Sequence, residues 1–269
     1  MPVSPLPLAD CTDDELRHLR GILTDIDDTL TSDGAIAPEA LAALQRLAAA
    51  GIPVIAITGR PMGWSQPFAR EWPIAAIVAE NGAVALFRDE ADGVRIDYAQ
   101  DEATRVANAK RLAQVARQIV ESVPGATLAR DSAGRVTDIA IDHSEFEHLD
   151  ETAIARVVAL MRAAGMNATV SSIHINGWYG SHDKLSGARW MLRELFGLEG
   201  DDELQRWAYV GDSTNDQQMF ERIPLSVGVA NLLRFADQLT VWPRYLTRGE
   251  RGAGFAELAD RVLACRGAA

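Results

Sequence analysis

Acidic residues cluster directly after an apolar run, in the stretch "ILTDIDDTLTSDG" at residues 22–34. Asp25 and Asp27 lie two positions apart, so on an extended backbone their side chains share one side while Ile26 faces the other. Carboxylates at the end of a buried strand repel each other and are costly to desolvate. An acidic turn that caps the next helix would explain the pattern without chemistry. A bound cation would instead explain the pattern as a functional site, because it would neutralise the carboxylates.

Further polar residues follow two other predicted strands. Thr58 and Gly59 end the apolar run "PVIAITGR", and Asp212, Asn215 and Asp216 follow "RWAYVG". In an open parallel sheet, ligands bind at the carboxyl ends of the strands. We therefore expect these side chains to meet the acids of the first run at one edge of the sheet.

This convergence predicts a magnesium ion and a phosphate. Clustered carboxylates without a countercharge would raise each other's pKa. A small set of oxygen ligands is typical of Mg²⁺, which keeps waters and leaves positions for a phosphate. The phosphate needs donors, and the suitable types are the Thr58 hydroxyl, the backbone N–H groups of residues 58–60 and a lysine.

The elements that must position these residues follow a βα rhythm. Short β-branched runs alternate with helical patterns from residue 22, which predicts βαβ units and a parallel sheet. The helix "PEALAALQRLAAAG" has Pro38 in its first turn and Gly51 as its stop. The same rhythm returns with the helix "DKLSGARWMLRELFGL" and the strands "RWAYVG" and "PLSVGVAN". The predicted fold class is α/β, a parallel sheet with helices on both faces.

An α+β pattern interrupts this rhythm after Gly82. It reads as two strands around Asp92-Gly93, a long helix, a strand pair around Ala133-Gly134, another helix, and the single strand "NATVSSIHINGWYG". We interpret it as a separate module inserted into the core. The predicted domains are a first core part at 1–82, the insertion at 83–181 and a second core part at 182–269.

The composition limits the partners. The chain has 269 residues, 48% hydrophobic and 24% charged, with a net charge of -12, which disfavours binding to nucleic acid or an anionic membrane. The expected partner is a small molecule. Cys11 and Cys265 predict free thiols in a reducing compartment, with a bridge between them left open. The lack of a signal-peptide pattern or a run of about 18 apolar residues favours the cytoplasm.

Four segments resemble, in order and spacing, the motifs of the haloacid dehalogenase (HAD) superfamily of phosphohydrolases. They are Asp25-Ile26-Asp27-Asp28-Thr29-Leu30, Thr58-Gly59-Arg60, Lys184, and Gly211-Asp212-Ser213-Thr214-Asn215-Asp216. The large insertion after the third core strand is similar to that of the Cof-type branch (subfamily IIB), to which sucrose phosphatase, mannosyl-3-phosphoglycerate phosphatase and phosphomannomutase are related. The resemblance covers about residues 20–265 and implies a Rossmann-like core with an inserted α/β (α+β) cap domain.

The resemblance also implies residue roles. Asp25 would be the nucleophile that forms an aspartyl-phosphate, and Asp27 the general acid and base. Mg²⁺ would be held by the Asp25 carboxylate, the Asp27 carbonyl and Asp212, with Asp216 binding directly or through water. Thr58, Gly59 and Lys184 would bind the phosphoryl oxygens, supported by Asn215. Asp28 departs from the glycine of many Cof-type members, and its role is left open.

The insertion is expected to close over the site and select the substrate. Its candidate contacts are His174, Asn176, Trp178 and His182, together with Arg60 of the core, although alternate members of such a strand commonly pack inside. The expected activity is Mg²⁺-dependent hydrolysis of a sugar phosphate or a phosphoglycerate derivative such as mannosyl-3-phosphoglycerate. The alternatives are a phosphomutase of the phosphomannomutase type and a non-enzymatic phospho-receiver. We expect a monomer or a homodimer.

Overall fold

The computed structural model describes residues 4–88 and 93–267 of the chain. The strands of this part are β1 (Leu6–Pro7), β2 (Gly21–Thr24), β3 (Thr31–Ser32), β4 (Ala35–Ile36), β5 (Val54–Ile57), β6 (Ala76–Ala79), β7 (Val84–Arg88), β8 (Val94–Tyr98), β9 (Thr127–Leu128), β10 (Asp138–Asp142), β11 (Asn167–Val170), β12 (His174–Trp178), β13 (Trp207–Gly211), β14 (Leu225–Gly228) and β15 (Tyr245–Leu246). Its helices are α1 (Asp13–Arg17), α2 (Pro38–Ala49), α3 (Met62–Glu71), α4 (Glu102–Ser122), α5 (Glu151–Ala163), α6 (Lys184–Phe196), α7 (Asp201–Leu204), α8 (Gln217–Arg222) and α9 (Arg251–Gly267).

A nine-stranded sheet in the order β1-β15-β14-β13-β2-β5-β6-β7-β8 forms the core. In this order, every pair of neighbours from β1 through β15, β14, β13, β2 and β5 to β6 is parallel. The last two pairs, β6 with β7 and β7 with β8, are antiparallel. Successive residues of one strand pack into separate cores: Ile22 lies in a cluster with residues of α2 and α9, and Leu23 in a cluster with residues of α6 and α8. Helices therefore cover both faces, which confirms the α/β prediction.

A second, four-stranded antiparallel sheet has the order β11-β12-β10-β9. Side chains of α4 and α5 pack with it in a third core. We call this sheet together with α4 and α5 the cap layer. The prediction of a single strand at 167–180 is wrong, because the chain turns between β11 and β12. The turn is held by Ser171, whose Oγ accepts hydrogen bonds from the backbone N–H groups of Ile173 and His174.

The hairpin β7–β8 corrects the predicted contents of the insertion. We expected it in the inserted module, but β7 pairs with β6 and extends the large sheet. Glu80 and Asn81 adopt φ angles of 49° and 56°, and this left-handed turn folds the chain directly back onto β6. Asp92 of the predicted turn lies outside the described residues. The division into domains at 82/83 and 181/182 stays a prediction.

Two smaller predictions concern the cysteines and the helices. Cys11 and Cys265 are both buried, and both are free thiols. Among the helices of the described residues, none has the length and apolar character that crossing a bilayer requires.

Candidate active site

The carboxyl ends of the parallel strands bring the predicted site residues together. Asp25, Thr58 and Asp212 each follow directly after a strand of the large sheet. The backbone N–H of Asp25 donates to Val210 O at 2.8 Å, and that of Thr58 donates to Val78 O at 2.8 Å. These bonds continue the sheet pairing by one residue, so the side chains emerge at one edge. The convergence of these three residues at one sheet edge, expected from the sequence, is therefore present in the fold.

Lys184 is the buried cation of the site. As the first residue of α6 it is placed by Asp183, whose side chain caps the helix by accepting from Ser186 N. The Lys184 Nζ lies 2.6 Å from Asp25 Oδ1, 2.7 Å from Asp216 Oδ1 and 3.2 Å from Asn215 Oδ1. Burial favours the neutral amine, but the two carboxylates outweigh it and raise the Lys184 pKa. Lys184 therefore carries a positive charge between the two acidic loops.

Asp216 organises the loop after β13. Its Oδ2 accepts from the backbone N–H groups of Asp212 at 2.9 Å and Ser213 at 3.1 Å, and its Oδ1 accepts from Lys184 and from the Tyr209 hydroxyl. Gly211 is needed for this approach, because a Cβ there would lie 2.5 Å from the Asp216 carboxyl group. Both Asp216 oxygens are thus already used in holding the loop and the lysine.

The carboxylate groups of Asp25, Asp212 and Asp216 form a cluster that fits a small hard cation. Ligand oxygens of Asp25, Asp212 and Asp216 all lie within 4.8 Å of one another. Asp212 Oδ1 is buried and has no hydrogen-bond partner among the described residues. Burial, together with the charges of Asp216 and Asp27, raises the pKa of Asp25 to about 8 although Lys184 lowers it, and burial also raises that of Asp212. A buried carboxylate oxygen without a partner, in an oxygen-only cluster, suits Mg²⁺.

The raised pKa values predict how Mg²⁺ stabilises the fold as pH changes. Above about pH 4 the unfolded chain has lost protons that the folded chain without metal still holds on Asp25, up to about pH 8, and on Asp212, whose pKa is also raised, so its stability falls as pH rises. Mg²⁺ binds the ionised carboxylates and should offset this loss. We expect Mg²⁺ to raise the melting temperature more at about pH 8 than at about pH 5.5, measured by differential scanning fluorimetry. Asp212→Asn should remove most of the difference, and an equal gain at both pH values would contradict the cation site.

Arg60 joins Asp27 to the cap layer. Its Nε lies 2.9 and 3.1 Å from the two Asp27 carboxylate oxygens, while its terminal nitrogens lie 2.7 Å from Glu145 and 3.2 Å from Asp131. Burial alone would lower the pKa of Arg60, but these carboxylates raise it. His174 Nε2 lies 2.9 Å from Glu145 Oε2. Arg60 and His174 thus both contact Glu145 and belong to one polar network at the junction of core and cap layer.

Glu80 is a second junction residue, and sequence reasoning missed it. Its fully buried carboxylate accepts hydrogen bonds from the backbone N–H groups of Met62, Val136 and Thr137 and from the Thr137 hydroxyl. Asn176 reinforces the junction by donating to the Gly59 carbonyl at 3.2 Å. The core and the cap layer are therefore linked directly beside the phosphate-binding candidate Gly59.

A cavity of about 460 Å³ opens beside Asp27 and Asp212. The other predicted substrate residues divide around it: Arg60 lines it, whereas Trp178 and His182 stack on each other with ring centroids 5.8 Å apart and do not line it. Burial lowers the pKa of His182 to about 4, so its ring is neutral. The residues lining the cavity include Asp28, Arg234 and Arg251 of the core and His143, Ser144, Glu145, Phe146 and Ser172 near the cap layer.

The structure gives Asp28 a local explanation. Its φ of 54° places it in the left-handed region, where glycine is the residue with the lowest steric cost. Its Oδ1 lies 2.9 Å from Arg251 Nε, so the extra charge is paired. Asp28 therefore holds the turn after the first motif against α9.

Comparisons with known proteins agree with this geometry. The family described as haloacid dehalogenase-like hydrolase matches residues 22–122. A phosphoglycolate phosphatase of Methanothermobacter thermautotrophicus is 28% identical over 250 residues, covering 91% of this chain and 99% of the relative. A phosphoglycolate phosphatase of Pyrobaculum neutrophilum is 27% identical over 247 residues, covering 90% of this chain and 95% of the relative.

The fold is also shared with solved structures. A Thermoplasma acidophilum protein superposes with a TM-score of 0.69 at 17% identity, covering 91% of this chain and 98% of that one. The sucrose-phosphatase of a Synechocystis species superposes with a TM-score of 0.64 at 16% identity over the same shares of the two chains. The motifs at the strand ends agree with these likenesses: the chain is similar to haloacid dehalogenase-like hydrolases over residues 22–122 and to two phosphoglycolate phosphatases over about nine-tenths of its length.

Proposed function

We propose that the chain is a Mg²⁺-dependent phosphatase that hydrolyses a small phosphomonoester through an aspartyl-phosphate on Asp25. One observation carries this proposal: the Asp25 carboxylate ends a core strand within 2.6 Å of the Lys184 ammonium and beside the oxygens of Asp212 and Asp216. A carboxylate held beside a fixed cation can attack phosphorus while that cation offsets the charge of the transferred group.

The two acids of the first motif would share the work in two steps. An Asp25 oxygen attacks phosphorus as the bond to the leaving alcohol breaks, and Asp27 gives that alcohol its proton. Asp27 then takes a proton from a water whose oxygen attacks phosphorus, so inorganic phosphate leaves and the Asp25 carboxylate is restored. Asp27 lies at the cavity wall, where a leaving group would be located.

The phosphoryl oxygens would be held by this chain's donors. The Thr58 hydroxyl, the backbone N–H of Gly59 and Lys184 lie at the same sheet edge, and Asn215 supports Lys184. Mg²⁺ held by Asp25, the Asp27 carbonyl and Asp212 would supply further positive charge. Asp216, whose oxygens already accept from protein donors, would act through water and through Lys184.

The cavity beside Asp27 supports a small substrate. Its volume of about 460 Å³ suits a compact metabolite, and arginines line it alongside acids. Phosphoglycolate is the first candidate, because two relatives that cover most of this chain are phosphoglycolate phosphatases. Sugar phosphates and phosphoglycerate derivatives form the rest of the set. The expectations on nucleic acid, membranes, assembly and cellular location stay predictions.

A substrate panel tests the proposal. The purified chain is incubated with phosphoglycolate, 3-phosphoglycerate, mannosyl-3-phosphoglycerate and sugar phosphates, with Mg²⁺ or with EDTA, and released phosphate is measured. We expect release that requires Mg²⁺ and no bisphosphate primer. Isomerised substrate with a requirement for a primer would favour the phosphomutase. A long-lived phosphorylated chain without turnover would favour the phospho-receiver.

Replacing Asp27 with asparagine separates the two steps. With p-nitrophenyl phosphate, whose leaving group needs no proton, we expect a rapid burst of nitrophenol followed by turnover slowed about 10²-fold to 10⁴-fold, because the attacking water lacks its base. Stopped-flow absorbance measures both phases. Asp131→Asn is the matched control, since it also removes a carboxylate that contacts Arg60. Equal slowing in the control would contradict an acid and base role for Asp27.

A further inference from the structure

We infer that Asn231 is a positioning residue that fixes the Asp212 carboxylate and thereby sets the affinity of the site for Mg²⁺. This inference rests on the proposed function. Asn231 is 2% exposed and lies just after β14, in a segment that none of the four sequence motifs includes. It was not predicted from the sequence, because a lone asparagine after a strand is typical of an ordinary turn.

The amide of Asn231 has a defined orientation. Its Oδ1 accepts from the backbone N–H of Arg251 at 2.8 Å, a group that can only donate. The opposite end must then be the amide nitrogen, and it lies 3.0 Å from the carbonyl oxygen of Asp28, a group that can only accept. The same Nδ2 lies 3.2 Å from Asp212 Oδ2. The backbone groups on both sides therefore determine which face Asn231 presents to Asp212.

This contact makes the two Asp212 oxygens unequal. Oδ2 accepts from Asn231, whereas Oδ1 is buried without a partner among the described residues. The rotation of the carboxylate is thereby restrained, and Asp212 contributes one carboxylate oxygen to the cluster with Asp25 and Asp216. A hydrogen bond to a ligating carboxylate typically orients it and strengthens metal binding. Asn231 would hold Asp212 ready for the cation.

Asn231 also connects three loops that must keep their spacing. It contacts the turn at Asp28 after β2, Asp212 after β13, and Arg251 at the start of α9. Asp28 and Arg251 both have left-handed backbone, with φ of 54° and 51°. The Asp27 carbonyl proposed as a ligand directly precedes Asp28. Loss of the amide would release the two proposed ligand loops together.

Metal titration of two variants and a control tests the inference. Asn231→Leu removes the amide donor and acceptor while keeping the branched shape, and Asn231→Ala is a second variant in case the larger leucine prevents folding. Mg²⁺ binding to the full chain is measured by isothermal titration calorimetry without substrate, and activity is then followed against Mg²⁺ concentration. We expect both variants to bind Mg²⁺ about 10-fold to 100-fold more weakly, and the Mg²⁺ concentration that gives half-maximal activity to rise by a similar factor.

Ser226→Ala is the matched control. Ser226 is also buried and lies in β14, but its Oγ contacts Phe220 O and Arg244 N, away from the acids. We expect its Mg²⁺ affinity to match that of the unmodified chain. Unchanged affinity in a folded Asn231→Ala chain would overturn the inference, as would an equal loss in Ser226→Ala. An unmodified chain that binds no Mg²⁺ would overturn the proposed metal dependence itself, and the role of Asn231 with it.

Discussion

Asp25→Asn is expected to lower phosphate release by about 10⁴-fold or more, because an amide cannot form the acyl-phosphate through which both steps pass. The variant should still fold. Burial raises the Asp25 pKa, so a neutral side chain of the same shape suits this position. The loss of the ion pair with Lys184 at 2.6 Å works in the opposite direction, and the net change in melting temperature should be small.

The measurement is initial-rate phosphate release with the best substrate of the panel at saturating Mg²⁺. Asp28→Asn is the matched control, because it removes a carboxylate three residues along the same loop that is paired with Arg251 and not with Lys184. We expect the control to keep activity within about tenfold. Turnover of Asp25→Asn at a rate near that of the control would exclude Asp25 as the nucleophile.

Glu80→Ala is expected to cause the largest loss of stability, about 3 to 5 kcal/mol. Three backbone N–H groups, the buried one of Thr137 and the half-buried ones of Met62 and Val136, would lose their acceptor, and leaving such donors unpaired is among the costliest single changes. Two of these N–H groups lie near the cap layer and one lies in α3. Their release should loosen the junction between the core and the cap layer beside the cavity, so the substrate KM should also rise.

Urea unfolding followed by circular dichroism measures this loss. Glu71→Ala is the control, because Glu71 is an exposed glutamate at the end of α3, and such surface changes usually alter stability by about 0.5 kcal/mol or less. If Glu80→Ala lowered the unfolding free energy by less than about 1 kcal/mol, the Glu80 contacts would not hold the junction.

The sequence predicts the catalytic edge well because its signal is local. Asp25, Thr58 and Asp212 each follow an apolar run, and parallel strands end at a common edge whatever the order of the strands. The residue type and the strand end together are sufficient to bring them close. Lys184 required the resemblance to a family, since a lysine at a helix start is otherwise typical of an exposed surface.

The residues that hold the site depend on partners far away in the chain. Glu80 and Asn81-Gly82 resemble a plain turn, yet Glu80 accepts from residues 56 and 57 positions later. Tyr209 resembles a core aromatic, yet its hydroxyl donates to Asp216. No local pattern distinguishes these polar contacts from ordinary turn and core positions.

The same limit applies to the hairpin β7–β8 and to the substrate residues. Alternation predicts a hairpin but not the sheet that it joins, and here β6 was available as a partner. In β12, Asn176 faces the core junction while Trp178 packs on His182. Their spacing in the sequence places them on the same strand but does not show which neighbours they contact.

Borohydride trapping tests the central claim most directly. The chain is mixed with Mg²⁺ and substrate, quenched in acid, treated with borohydride, which reduces an acyl phosphate to an alcohol, and digested with trypsin. Cleavage after Arg20 and Arg46 releases a peptide spanning residues 21–46, and mass spectrometry locates the change. The aspartyl-phosphate account predicts homoserine at position 25. Turnover with an unmodified Asp25, or homoserine at position 27 or 28, would contradict it.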